Sequence, residues 1–327
     1  MIPTISRRAA LVAAALLPLA ASAQGTDPAT APFPTHAVRL VVPFPPGGAT
    51  DALARQIAEK LTLLWKQPVL VDNRPGGNTM IGTEAVARAP ADGHTLGIVT
   101  GSHVINPLLT AKMPYDTLRD LTGVMLLTGF QMALYAHPSF PANNPAELIA
   151  LAKKEPGRVA YGSATTQSYL GMERLNAMAG TKMQYVPYKG SAQALTDVLG
   201  GHTQLMIDPV LQSTVDHAKN GKLKVIAVLG SQPSPLTPGV PLMSTAVPGY
   251  DYSGAFGLVA RAGTPPALIR RIRDDFAAVL RQPEVAARVR EIGQETIAST
   301  PEEYNAYILA EMKKWEPIIK ATGARLD

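Results

Sequence analysis

The sequence contains no cysteine, so disulfide bonds, thiol nucleophiles and cysteine-ligated metal sites are excluded. Aromatic residues make up only 6% of the 327 residues, and no cluster of lysine and arginine is interleaved with them. Nucleic acid is therefore not an expected partner. The hydrophobic fraction of 46% is typical of a folded globular protein, and the length suits about two domains.

Motifs that would identify an enzyme or a metal protein are also missing. The chain has no Walker loop, no dinucleotide fingerprint and no GxSxG nucleophile elbow. Its six histidines form no HExxH pair, and no two carboxylates stand out as an acid and a base. We therefore expect no catalytic residues, no metal and no cofactor.

Long apolar runs are absent except at the N-terminus. Residues 1–23 combine a basic start, an apolar stretch and a small-residue cleavage site that ends at Ala23. This pattern predicts a secretory signal peptide and an exported mature protein that begins near Gln24. Both the general route and the twin-arginine route of export stay open.

Strands and helices alternate along the rest of the chain. Apolar runs at residues 38–42, 69–71 and 96–99 predict buried strands, and a helix with apolar residues at helical spacing follows Asp51. The alternation resumes at Val159, which predicts two α/β halves with parallel strands. A connection rich in proline and glycine, residues 236–250, predicts an ordered link between the halves.

The C-terminal quarter predicts helices with clear N-terminal signals. Thr300 and Glu303 have the spacing of a capping box, and Pro301 occupies the first helical position. Tyr304 and Trp315 follow at helical spacing. We interpret these aromatic residues as core packing and not as a cofactor site.

Three loops could carry a binding function. Residues 44–51 join a strand to a helix through prolines and glycines, and the free amides of a helix N-terminus favour an anion. Residues 74–79 repeat this build, and residues 161–168 place four hydroxyl groups and an amide before another helix. Each loop alone is also compatible with a turn or a cap that binds nothing, and for the first and third loops this is the favoured interpretation. His103 and Asp208 each fit either a ligand contact or a structural role.

Four segments carry a more specific pattern: VPFPPGGATDALAR, NRPGGNTMIGTEAVARAPADGHTLGIVTGSHVINP, VPYKGSAQALTDVLGGHTQLMID and GKLKVIAVLGSQPSPLTPGVPLMSTAVPGYD. In this order they closely resemble the Bug family, the extracytoplasmic solute receptors of tripartite tricarboxylate transporters. The resemblance implies a type II periplasmic-binding-protein fold, in which two α/β domains joined by a hinge close over a ligand cleft. It implies a domain I of residues 24–127 and 250–327, and a domain II of residues 128–249.

The resemblance also implies a function. Receptors of this family bind small carboxylates in the periplasm and pass them to membrane permease subunits, so we expect these two partners and a monomer. The ligand-binding residues that the resemblance and the loops assign are Phe44, Pro46, Gly47, Gly48, Ala49, Thr50, Asp51, Ser102, His103, Ser163, Thr165, Thr166, Gln167, Ser168 and Asp208.

One departure from the family pattern leaves the substrate open. Many relatives carry a glycine-rich SSGxGS-type loop where this chain has Ala164, Thr165, Thr166 and Gln167, so the substrate of any one relative does not transfer. An aromatic dicarboxylate, citrate and a short dicarboxylate all stay candidates. Two other functions also stay open: presentation of a ligand to a membrane signalling receptor, and a secreted hydrolase.

Overall fold

Strands and helices alternate along the part of the chain that the structure describes. The computed structural model describes residues 32–47, 49–163, 165–188 and 190–325, and only the backbone of Ala49. The strands are β1 Val38–Val42, β2 Val69–Asn73, β3 Thr95–Val99, β4 Leu121–Ala136, β5 Ala160–Ser163, β6 Gln184–Pro187, β7 Leu205–Pro209, β8 Lys224–Val228, β9 Ser253–Arg261 and β10 Gln294–Thr296. The α-helices are α1 Ala49–Trp65, α2 Met80–Ala87, α3 Ser102–Leu109, α4 Pro145–Lys154, α5 Thr166–Ala179, α6 Ser191–Leu199, α7 Gln212–Lys219, α8 Pro266–Leu280, α9 Pro283–Glu291 and α10 Pro301–Thr322.

These strands form one mixed sheet in which β4 is shared between two halves. The order is β2-β1-β3-β9-β4-β7-β5-β6, and both β8 and β10 also pair with β4. From Leu121 to Gln131, β4 pairs antiparallel with β9. From Met132 to Ala136 it pairs antiparallel with β7. We call β2, β1, β3, β9 and β10 the first half of the sheet, and β7, β5, β6 and β8 the second half.

In the first half, β1 lies parallel to both β2 and β3. Helices pack on both faces of these strands: Leu40 belongs to the core under α1, whereas its neighbour Val41 belongs to the core that includes α2. Because both faces are covered, β1 and β3 are almost continuously apolar instead of alternating with polar residues. Parallel strands also place α1, α2 and α3 at one edge of the sheet, where each helix begins after a strand.

The structure confirms several predictions made from the sequence and adds three strands, β4, β9 and β10. The predicted strands and the helix after Asp51 are present, and Tyr304 and Trp315 are buried in the core. The predicted burial of residues 69–71 is wrong beyond Val69, because β2 exposes Leu70. The long strands β4 and β9, which pass between the halves, were not predicted because their partners lie far away in sequence. Residues 236–250 lead from β8 toward β9 through a short 3-10 helix, Met243–Thr245. Among the described residues, no helix is both long enough and apolar enough to span a bilayer.

The predicted capping box at the start of α10 is confirmed. The Thr300 hydroxyl accepts a hydrogen bond from the Glu303 amide, and the Glu303 carboxylate accepts one from the Thr300 amide. Replacing Thr300 with alanine leaves one helix amide without this partner. We therefore expect Thr300→Ala to lower the free energy of unfolding by about 1 kcal/mol, measured by urea denaturation.

Thr196→Ala is the matched control for this prediction. Thr196 is exposed on α6, and its hydroxyl donates only to the Ala192 carbonyl of its own helix. Alanine is a better helix former, so this variant should be neutral or slightly stabilised. Equal losses in the two variants would show that the capping box contributes nothing specific.

Candidate functional site

A cavity of about 310 Å³ lies between the two halves of the sheet. It is lined by residues from the ends of β1, β2 and β3, from the starts of α5 and α6, and from β4, β7 and β9. Seven residues proposed from the sequence line it: Phe44, Thr50, Ser102, Thr165, Gln167, Ser168 and Asp208. The described lining residues include no lysine or arginine, so an anion in this cavity would have to be held by neutral donors.

The first wall of the cavity is built from the N-terminal ends of three helices. Thr50 lies in the first turn of α1, Thr79 is the N-cap of α2, and Ser102 begins α3. None of these three hydroxyl groups has a hydrogen-bond partner among the described residues, although all three residues are largely buried. The positive ends of the helix dipoles and three unpaired hydroxyl groups therefore face the same space.

The Thr79 backbone is held in an uncommon conformation. Asn78 has a φ of 49° and Thr79 a φ of 74°, which is the left-handed region that a β-branched residue rarely adopts. The fully buried side chain of Asn106 holds this turn. Its Oδ1 atom accepts a hydrogen bond of 2.6 Å from Asn78 Nδ2, and its Nδ2 atom donates one of 2.8 Å to the backbone carbonyl of Asn78. This strained turn places the Thr79 side chain beside the cavity, where it forms no capping hydrogen bond with α2.

Asp51 supports the loop between β1 and α1 from behind. One of its carboxylate oxygens accepts from the Gly47 amide and from Arg55 Nε, both at 2.9 Å. The other accepts from Asn73 Nδ2 at 2.9 Å, and the same Asn73 nitrogen donates to the Phe44 carbonyl. Asp51 does not line the cavity. Its carboxylate fixes the loop.

These hydrogen bonds also set the protonation of Asp51. The hydrogen bond from Arg55, followed by that from the Gly47 amide, lowers the pKa of Asp51 from 3.8 to about 2. Burial acts in the opposite direction and is outweighed. The loop is therefore braced by a carboxylate that stays ionised over the whole physiological range.

The second wall of the cavity already satisfies its own hydroxyl groups. The Thr165 side chain caps α5 by accepting from the Ser168 amide, and its hydroxyl donates to Ser168 Oγ at 2.9 Å. Ser168 Oγ in turn lies 3.3 Å from the hydroxyl of Tyr252. This wall contrasts with the first, because its hydroxyl groups would have to exchange existing hydrogen bonds in order to bind a ligand.

Asp208 is the one acidic residue among the described lining residues. It is the penultimate residue of β7, is 8% exposed, and accepts a hydrogen bond of 2.6 Å from the Ser191 hydroxyl. Burial raises the pKa of Asp208 from 3.8 to about 6, although the Ser191 hydrogen bond opposes this. Helix N-termini lie on both sides of the cavity, but Asp208 gives only the second wall an acidic side chain among the described lining residues.

Gln167 spans the cavity from the second half of the chain to the first. It lies in the first turn of α5, and its side-chain amide occupies the space where a side chain on Gly101 would begin. Gly101 is the N-cap of α3. The absence of a Cβ at this position is what allows the two walls to approach each other so closely.

Aromatic residues form a part of the cavity that the sequence did not reveal. Phe130 lies on β4, and Tyr252 and Phe256 lie on or beside β9. The rings of Phe130 and Phe256 pack with their centroids 5.2 Å apart. Only the pairing of the unpredicted strands β4 and β9 brings these residues to the cavity. Thr79, in contrast, belongs to a loop that the sequence had indicated.

Other residues proposed from the sequence do not line the cavity. Pro46 and Gly47 are exposed, Ser163 is buried with its hydroxyl bonded to the Thr165 carbonyl, and Thr166 is half-buried at the start of α5. The Ala49 backbone begins α1, and Gly48 lies outside the described residues.

His103 is buried in the first turn of α3 and also does not line the cavity. It is only 2% exposed, and burial lowers its pKa to about 4. Its Nδ1 atom has no partner among the described residues. This placement corresponds to a neutral structural histidine.

One group of possible metal ligands occurs among the described residues. His36, Asp92 and His94 place their ligand atoms within 4.8 Å of one another. The two imidazole rings are stacked with centroids 3.7 Å apart and planes only 3° from parallel. Because a ring nitrogen binds a metal in the plane of its ring, two parallel rings cannot share an ion without rotating. None of the three residues lines the cavity.

Comparison with known proteins identifies the same fold and the same class of protein. Residues 53–324 match the family described as Tripartite tricarboxylate transporter family receptor. Protein BugT of Bordetella pertussis is 32% identical over 299 residues, which cover 90% of this chain and 91% of BugT.

Two solved structures give the same result. A protein of R. palustris solved with adipate is 33% identical, with a TM-score of 0.79 over 90% of this chain and 100% of that one. The periplasmic binding protein BugD is 28% identical, with a TM-score of 0.75 over 90% of this chain and 99% of BugD. The resemblance seen in the sequence is confirmed, as is the predicted type II periplasmic-binding-protein fold with two domains around a ligand cleft.

The brace formed by Asp51 can be tested through the pH dependence of stability. The pKa of Asp51 is lower in the folded protein than its ordinary value of 3.8, so its stabilisation is present above about pH 4 and is lost as the pH falls through about 2. We expect Asp51→Asn to lower the free energy of unfolding by about 1 kcal/mol at pH 7. The difference from the wild type should shrink as the pH falls from 5 to about 2, measured by urea denaturation.

Asp274→Asn is the control for this prediction. The Asp274 side chain is 67% exposed and pairs only with Arg273 at the surface. We expect little change in stability and no added pH dependence in this variant. A constant difference between Asp51→Asn and the wild type from pH 7 to pH 3 would contradict the brace.

Proposed function

This chain belongs to the tripartite tricarboxylate transporter receptor family, and we propose that it captures a small carboxylate in the periplasm and delivers it to the membrane permease subunits of such a transporter. The observation that carries the proposal is the first wall of the cavity. There, the unpaired hydroxyl groups of Thr50, Thr79 and Ser102 lie at the N-termini of three helices.

The chemistry of the two walls favours one orientation of the ligand. A carboxylate placed against the first wall gains hydrogen bonds from hydroxyl groups that have none, and it meets the positive ends of helix dipoles. Neutral donors hold the anion without the cost of burying a lysine or an arginine. The far end of the ligand then points toward Asp208 and Ser191 on the second wall.

The presence of Asp208 restricts what the far end can be. An ionised carboxylate beside a second ligand carboxylate would repel it, unless one of the two groups is protonated. We therefore infer that the ligand presents a hydrogen-bond donor to Asp208: a hydroxyl, an ammonium or a protonated carboxyl group. The cavity of about 310 Å³ lies at the lower end of the range for ligand pockets, roughly 300–1,000 Å³, and suits a compact molecule.

Binding would bring the two halves together around the ligand. We propose that residues 24–127 and 250–327 form domain I, that residues 128–249 form domain II, and that they close by rotation about the strands between them. Support comes from β4, which exchanges β9 for β7 as its partner after Gln131. The ligand bridges both walls, so it binds the closed state better and shifts the equilibrium toward it.

The remaining parts of the proposal follow from this role. We propose that residues 1–23, which lie outside the described residues, are a signal peptide cleaved near Ala23. The mature receptor acts as a monomer, without catalytic chemistry and without a cofactor. The relative solved with adipate supports a carboxylate as the class of ligand. Titration with a panel of acids identifies which carboxylate this chain binds.

The test of the proposal is calorimetric titration of the mature protein, unfolded and refolded to remove any ligand carried over from the cell. The panel contains malate, citrate, adipate and the amide of each ligand that binds. We expect at least one acid to bind and its amide to fail. Thr50→Val, which removes one unpaired hydroxyl at constant shape, should weaken binding by roughly tenfold.

Thr196→Val on the exposed face of α6 is the matched control and should bind as the wild type does. Two results would reject the assignment of the first wall. One is equal binding by Thr50→Val and the wild type. The other is a ligand whose amide binds as tightly as the acid.

Asp208 generates a second prediction, whose sign follows from its raised pKa. The folded protein favours the neutral carboxyl, so this group stabilises the fold fully below pH 3.8 and the stabilisation is lost as the pH rises through about 6. Asp208→Asn removes the cost of the buried charge. We compare the free energy of unfolding of the variant with that of the wild type at each pH. This difference should grow in favour of the variant by about 2 to 3 kcal/mol between pH 4 and pH 8.

Thermal and urea unfolding of ligand-free protein at pH 4, 6 and 8 measure this difference. Asp216→Asn is the control, because Asp216 is exposed on α7 and should add no pH dependence. Parallel stability curves for Asp208→Asn and the wild type would show that Asp208 is not buried as a charge at pH 8.

A further inference from the structure

A second cavity, larger than the first, lies on the other side of Phe130. Its volume is about 590 Å³. One side is formed by residues 234–236, which follow β8 of the second half, and the other by α8, α9 and β10 of the first half. Between them lie Gly129, Phe130 and Gln131, at the point where β4 changes partners. The second cavity therefore also joins the two halves of the molecule.

Two positive charges line this cavity without a counterion. Arg281 is the C-cap of α8 and Arg290 lies in the last turn of α9. Both side chains are exposed, and neither guanidinium has a hydrogen bond or an ion pair among the described residues. Their neighbour Arg288 differs, because it pairs with Glu291 at 3.1 Å. Glu295 is the one acidic residue on the lining, so the local charge is positive.

Stabilisation of helix C-termini explains only part of this arrangement. A cation in the last turn of a helix interacts favourably with the dipole, and Arg288 already supplies one for α9. That role does not require Arg281 and Arg290 to face the same cavity. Two unpaired guanidinium groups on one concave surface are suited to a carboxylate, which they can bind through two parallel hydrogen bonds.

The rest of the lining indicates the body of the ligand. Phe130, Pro235, Leu236, Leu280 and Ala286 supply apolar surface. Ser234, Gln294 and Thr296 add neutral polar groups to the lining. The lining therefore suits a ligand that has an apolar body beside its carboxylate.

We propose that this second cavity is a binding site for a small organic acid with an apolar body, whose carboxylate binds Arg281 and Arg290. The site is separate from the carboxylate cavity described above, and the two share only Phe130 and Gln294. Neutral hydroxyl groups bind the anion in the first cavity, and guanidinium groups bind it in the second. The two sites therefore differ in chemistry and can be distinguished by mutation.

The probe for this site is 4-fluorobenzoate, followed by fluorine NMR during titration of the full mature protein. Arg281→Gln combined with Arg290→Gln removes both charges from exposed positions, where the fold should tolerate the change. We expect the wild type to bind the probe and the double variant to bind it at least tenfold more weakly. Arg290→Gln alone should give an intermediate loss. Circular dichroism checks that each variant is folded.

Two controls identify the site. Arg288→Gln removes a nearby charge that does not line the cavity and should leave binding unchanged. Thr50→Val should also leave it unchanged, because Thr50 belongs to the first cavity. The proposal is overturned if the wild type fails to bind the probe up to about 10 mM. It is also overturned if the double variant binds as the wild type does, or if Thr50→Val alone abolishes binding. The first two results leave the function of the first cavity open, whereas the third would place the probe in the first cavity and leave the proposed function standing.

Discussion

The strand β4 is the constraint on which the other features of this molecule depend. It is hydrogen-bonded to β9 and β10 over its first part and to β7 and β8 over its last residues, so each half of the sheet is completed by the same strand. Backbone hydrogen bonds are formed in both halves, and near Gln131 β4 changes from one set of partners to the other. Both cavities lie beside this point, and Phe130 lines both.

The two walls of the first cavity differ in how their hydroxyl groups are hydrogen-bonded. The first wall keeps unpaired hydroxyl groups at helix N-termini, and it is held in place by Asp51 behind one loop and Asn106 behind another. The second wall is already bonded to itself through Thr165 and Ser168. A rigid wall with unpaired donors loses little freedom when a ligand binds, so more of the interaction energy appears as affinity. In the function we propose, the second wall contributes closure and the choice of the ligand's far end.

Local signals in the sequence predicted the parts of the site that depend on local structure. The loop at residues 44–51, the helix starts after β1 and β3 and the capping box at Thr300 follow from residue types a few positions apart. The aromatic lining at Phe130 and Phe256 could not be predicted, because it depends on the pairing of β4 with β9 across more than a hundred residues. The direction in which a side chain points also could not be predicted from the sequence. Asp51 braces the loop and His103 is buried, although both residue types also fit ligand contacts.

The central claim is that a ligand carboxylate lies against the first wall, held by neutral donors. A crystal structure of the mature protein with the acid that binds in titration tests it most directly. The account predicts carboxylate oxygens within hydrogen-bond distance of Thr50, Thr79 and Ser102, with the far end of the ligand directed at Asp208. A carboxylate bound to Thr165 and Ser168, with the first wall facing only water, would contradict it.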